Sequence, residues 1–94
     1  MGGEQMPYIL KERRRIYIEE INLLGGRMRE TNATDGDLNF IITKLIKIWL
    51  GPSPRYTNYN SALGVLTAIQ QELYRRKIAP YEDLKIKEND DVYD

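Results

Sequence analysis

Apolar residues recur with one period between Leu38 and Trp49. Leu38, Ile41, Ile42, Leu45, Ile48 and Trp49 stand at i, i+3, i+4, i+7, i+10 and i+11, which is one face of an α-helix and does not fit the two-residue alternation of a strand. Lys44 and Lys47 fall on the opposite face. Asp35 or Asp37 is placed to cap the start of this helix. Gly51-Pro52-Ser53-Pro54 ends it, because proline cannot continue a helix and pushes the residue before it toward extended backbone. Phe40, Ile46 and Leu50 carry the apolar character beyond a single stripe. Part of that surface is therefore expected to meet another subunit.

The flanking segments repeat the helical reading. Tyr17, Ile21, Leu24 and Met28, widened by Ile16 and Ile18, predict a first helix from about Leu10 to Glu30. Gly25-Gly26 interrupts it, each glycine costing about 1 kcal/mol relative to alanine, so a kink, an end or a close approach of another backbone is expected there. Arg13, Arg14 and Arg15 cover three directions around its axis. Thr31 to Gly36 reads as a loop. A third helix is expected from Asn58 to Lys77, capped by Thr57 or Asn58, with Tyr59, Ala62, Leu63, Leu66, Ile69 and Leu73 inward and Gly64 permitting a close crossing. Pro80 is expected to stop it. Beyond it, Tyr81 to Asp94 is mostly charged and reads as an extended tail with at most one turn between Asp83 and Lys87. The expectation is one all-α domain of three helices with a mostly extended C-terminal tail (81–94), residues 1–7 being disordered.

Composition narrows the chemistry. The 94 residues include no cysteine and no histidine, which removes disulfides, thiolate zinc sites and Ser-His-Asp or Cys-His catalysis from a single chain. A cytoplasmic, reducing setting fits. Fourteen basic and fourteen acidic side chains cancel, which argues against a binder of long nucleic acid, whose affinity comes from neutralising many phosphates. Two or three arginines holding a small anionic ligand are compatible with that balance. The longest apolar stretch, Phe40 to Leu50, is broken by Thr43, Lys44 and Lys47 and falls short of the roughly 20 residues of a membrane span, so no membrane partner is expected. Glu19-Glu20, Glu82-Asp83 and Asp90-Asp91 are adjacent pairs that do not converge on a helix, and they read as solvated surface. No metal site, no cofactor and no enzymatic activity is implied.

Tyrosine, asparagine and arginine gather at the two ends of the third helix, in Arg55-Tyr56-Thr57-Asn58-Tyr59-Asn60 and in Glu72 to Asp83. Tyrosines stack on bases, asparagines read hydrogen-bonding edges, and arginines bind phosphates. A helix start also favours anions. The two ends lie about 28 Å apart at 1.5 Å per residue, too far for one small ligand. Antiparallel pairing of third helices from two subunits would bring one start beside the other's end, which makes a dimer or tetramer with interfacial pockets an economical arrangement. Arg75 and Arg76 differ by about 100° around the axis, so they are not expected to serve one face. One would hold a phosphate and the other pair with Glu82 or Asp83. The competing reading has Tyr59 and Tyr74 half-buried in packing and the arginines clamping the tail.

The chain resembles a family of small phage, prophage and bacterial proteins. The resemblance rests on Met6-Pro7-Tyr8-Ile9 with Glu12-Arg13-Arg14, on Gly36-Asp37-Leu38-Asn39-Phe40-Ile41-Ile42-Thr43, on Tyr56-Thr57-Asn58-Tyr59-Asn60 and Gly64-Val65-Leu66, on Glu72-Leu73-Tyr74-Arg75-Arg76, and on Ala79-Pro80-Tyr81-Glu82-Asp83, Lys85-Ile86 and Asn89-Asp90-Asp91-Val92-Tyr93. The family pattern has glycine where this chain has Asp90, and a turn requiring positive φ would be strained there. The resemblance implies a helical fold and, by its phage association, an anti-defence protein of the host cytoplasm that sequesters a cyclic di- or oligonucleotide signal without cleaving it. Its ligand-binding residues would be Tyr8, Arg13, Tyr56, Asn58, Tyr59, Tyr74, Arg75, Arg76 and Tyr81, with Tyr56 and Tyr81 stacking and Arg13, Arg75 and Arg76 on phosphate. The alternatives are a module that docks on a host protein through Phe40, Ile46 and Leu50, or a structural component of a virion.

Overall fold

The computed structural model of the chain describes residues 8–93, and every regular element among them is helical. The all-α expectation is met. The described residues fall into two units that part between Pro54 and Arg55. The expected disorder of residues 1–7 lies outside the described residues.

The first unit begins with α1 (Lys11–Arg14) and α2 (Ile18–Glu30). The single helix expected from Leu10 to Glu30 is thus divided, but at Arg15–Tyr17 and not at Gly25-Gly26. Ile16 N–H and Tyr17 N–H donate to the carbonyls of Arg13 and Arg14, at 3.1 Å each, bonds spanning three residues that tighten the turn and leave α2 to restart. Gly25 and Gly26 stay inside α2, and a β-carbon built on either meets nothing within 4 Å. The open surface around them lets the helix run through its two weakest formers.

Asn32 turns the chain out of α2 at φ 51°. Ala33 N–H returns to Met28 C=O at 2.9 Å and Asn32 N–H to Arg29 C=O at 3.2 Å, the paired bonds of a Schellman stop with asparagine in the left-handed position. Thr34, not Asp35 or Asp37, is the N-cap of α3 (Asp35–Leu50). Asp37 N–H donates to Thr34 Oγ1 at 3.1 Å, and Thr34 N–H donates to Asp37 Oδ2 at 2.9 Å. That reciprocal box satisfies two N–H groups left open at the helix start. Gly51 follows at φ 77°, a conformation that side chains other than glycine's rarely adopt.

The second unit is one helical run. α4 (Tyr56–Leu73) starts behind Arg55, whose N–H donates to Asn58 Oδ1 at 2.8 Å. Asn58 is therefore in the first turn, holding the cap together, and is not the cap itself. Pro80 does not end the helix. A π turn (Tyr74–Ile78) follows α4, with Ala79 N–H reaching back five residues to Tyr74 C=O, and α5 (Ala79–Asn89) continues from it with helical backbone at the junction. Proline has no N–H to give and its ring crowds the carbonyl four residues back; the wider turn just before Pro80 accommodates both. The segment expected to be an extended tail is thus mostly helix, ending at Asp90, whose φ of 68° is the strained positive value anticipated where the family pattern carries glycine.

Ala62 is the only buried hydrophobic residue among those described. Leu66, Ala68 and Ala79 are half-buried, while Ile69 and Leu73 on the expected inner stripe of α4 remain exposed. In α3 the expected stripe fares no better: Ile41 is half-covered, but Leu45, Ile48 and Trp49 face solvent.

Candidate functional site

The π turn brings two of the expected ligand residues, Arg75 and Arg76, to one carboxylate. Arg75 and Arg76 both reach the same carboxylate oxygen, Glu72 Oε2, Arg75 through Nη2 at 2.7 Å and Arg76 through Nε. The expectation that they serve different faces is corrected here. Residues three and four positions after Glu72 straddle it on the helix surface, so a separation of about 100° brings two long side chains toward one point between them. Both guanidiniums stay open to solvent, with side chains 66% and 60% exposed.

Tyr74 and Tyr81 stand on either side of this pair in the sequence and have partners of their own. Tyr74 OH donates to Glu82 Oε1 at 2.6 Å, so Glu82, expected as an arginine partner, serves the tyrosine. The extra residue of the π turn explains the reach: Glu82 falls as though seven positions after Tyr74, two turns along the same face. Tyr81 carries Lys85 Nζ over its ring, 5.6 Å from the centroid, and the ammonium is drawn to the negative face of the π system.

The Glu82 carboxylate accepts the Tyr74 proton and repels the phenolate, which holds the Tyr74 hydroxyl above its ordinary value, with a smaller repulsion from Asp83. Because the folded value is raised, this contribution to stability is complete below the unfolded tyrosine's pH of about 10 and is lost as pH rises through the folded value. Tyr74→Phe is therefore expected to be less stable than the native chain at neutral pH, the difference closing in strong alkali. Among the seven tyrosines, the ring carbon resonance that disappears in Tyr74→Phe should titrate later than in an unfolded peptide. Titration at the peptide value would show that the bond to Glu82 does not form.

The other expected residues lie elsewhere. Tyr56 opens α4 with 77% of its surface exposed, Tyr59 is exposed one turn further, and Asn58 is engaged in the cap. By helix rise the start of α4 and the π turn are about 27 Å apart, so one chain does not bring Tyr56, Asn58 and Tyr59 to Tyr74, Arg75, Arg76 and Tyr81. Tyr8 and Arg13 belong to the first unit, before and within α1. Two open recesses on the α2 side of that unit, one at the elbow with α3 lined by Leu24, Met28, Asp37, Phe40 and Ile41, include none of the nine. Of the three residues expected to dock a host protein, Phe40 is exposed with Lys44 Nζ 5.7 Å from its ring centroid, while Ile46 and Leu50 are half-covered. Glu72 and Lys85 were not anticipated. The signal for Glu72 was present as an acid three and four residues before two arginines.

These elements define an all-α protein with an exposed arginine pair and a tyrosine on a π turn. No described helix is long and apolar enough to cross a membrane. The chain belongs to the family of a domain of unknown function, DUF6899, whose pattern matches residues 6–92. No curated protein and no solved structure matches it significantly.

Proposed function

We propose that this protein binds and withholds a small anionic nucleotide, in the manner of a phage anti-defence sponge for a cyclic di- or oligonucleotide signal. The observation that carries the reading is the pair of exposed guanidiniums gathered on Glu72. Exposed ion pairs at this spacing contribute only about 0.3–0.5 kcal/mol each, whereas hydrogen bonds to charged groups contribute about 1.5–3 kcal/mol. A phosphate can therefore compete with Glu72 for both arginines. π turns also recur at functional sites more often than in ordinary helices. Tyr56 and Tyr59 would join the same ligand from a second, antiparallel copy. Withholding a signal needs binding alone, so no catalyst is called for.

The test is a thermal-shift screen against cyclic di- and trinucleotides, with linear dinucleotides and ATP as controls. A ligand at about 100 times its dissociation constant adds roughly 2.7 kcal/mol, equivalent to a rise of several degrees in a domain of this size. A rise confined to cyclic species, with intact nucleotide recovered after heating, supports the reading. No rise with any nucleotide removes it, and recovery of a linear product would make the protein a nuclease instead.

A further inference from the structure

We infer that Glu72 sets the specificity of the proposed nucleotide site, turning it away from terminal phosphates and toward internal phosphodiesters. The inference rests on the reading above and names the class of phosphate that the arginine pair takes.

Arg75 Nη2 and Arg76 Nε meet at one oxygen, Glu72 Oε2. Guanidiniums stay protonated in proteins, so these three side chains together carry one net positive charge. An internal phosphodiester carries one negative charge and matches them. A phosphate monoester at a chain end has a second pKa of about 6 and carries about two charges at neutral pH. Taking that second charge out of water has a cost, and the repulsion from Glu72 opposes what the arginines return.

The helix keeps the carboxylate close even when a phosphate has displaced it. Glu72 stands three and four residues before the arginines, about one turn or 5.4 Å along the axis. At that separation Glu72 disfavours each added negative charge at least about fourfold, even at the dielectric constant of water. The Glu72 side chain is 34% exposed, about half as open as the two guanidinium side chains, and a lower local dielectric enlarges the effect. Glutamine at this position keeps the shape and removes the charge.

The test is isothermal titration at about pH 8, where the monoester is fully ionised. Its probes are a cyclic diadenylate, the linear diadenylate with a free 5′-hydroxyl, and the same linear molecule with a 5′-phosphate. The native chain is expected to bind the cyclic form most tightly and to gain nothing from the 5′-phosphate. In Glu72→Gln the 5′-phosphate should strengthen binding of the linear form at least about fourfold, and Glu72→Ala should behave alike. Far-UV circular dichroism checks that both variants fold; glutamine and alanine are good helix formers. A native chain that binds the cyclic form but prefers the 5′-phosphate over the 5′-hydroxyl would overturn the inference alone. So would folded variants in which the 5′-phosphate adds nothing or its binding stays undetected. A native chain that binds none of the three would remove the nucleotide reading itself, and the inference with it.

Discussion

Arg75→Ala combined with Arg76→Ala is expected to weaken binding of a cyclic nucleotide by at least about 100-fold, since two charge-assisted contacts worth about 1.5–3 kcal/mol each are removed together. The fold should survive. Both side chains are mostly exposed to solvent, and alanine is a better helix former than arginine. Isothermal titration against the best ligand of the thermal screen, with far-UV circular dichroism as the fold control, separates the outcomes. Binding retained with the helical signal intact would exclude the arginine pair as the phosphate contact. Loss of the helical signal would show that the arginines clamp the helix instead.

The second large effect is expected at Pro80. Alanine there restores an N–H and removes the crowding of the Arg76 carbonyl, so the π turn is free to tighten to the ordinary α pitch. Proline costs about 3 kcal/mol relative to alanine inside a helix, of which the wider turn has already relieved part. Pro80→Ala should therefore gain up to about 3 kcal/mol, and each kcal/mol raises Tm by roughly 4–8 °C in a domain of this size. The same tightening rotates everything beyond Ile78 by about 100° relative to α4, carrying Glu82 away from Tyr74 OH. Greater stability should thus come with a Tyr74 hydroxyl that titrates near the ordinary value of about 10, and with weaker nucleotide binding. A lower Tm, or an unchanged Tyr74 titration, would show that the π turn does not depend on the proline.

Helical periodicity was enough to place the body and C-terminal end of α3, though not its cap, and to give the all-α class. It failed where two local effects competed. Gly25-Gly26 looked like the weak point of the first helix, yet a propensity cost of about 1 kcal/mol per glycine is tolerable inside a run, and the break fell at Arg15–Tyr17, where no breaker residue marks it. Pro80 looked like a stop because a proline's effect on an α turn is local and known; that a π turn would carry the chain past it depends on five-residue bonding that no periodicity displays. The apolar stripe of α3 was legible, but its exposure was not, because a sequence pattern states which face is apolar and not what covers it. At the candidate site the residue types were read from the chain and Arg75 and Arg76 were singled out. Their convergence was missed because the angle between neighbours was weighed without asking which residue lies between them.

Glu72 has a further meaning for selectivity. Because it already engages both guanidiniums, an anion that binds them must displace a carboxylate held beside them by the same helix. An ordinary organic acid offers nothing better than the anion it would have to evict. A phosphodiester with a base to stack, or a molecule bearing two phosphates, makes contacts that Glu72 lacks. In the proposed nucleotide site the built-in carboxylate would set a modest threshold, favouring anions that bring more than charge.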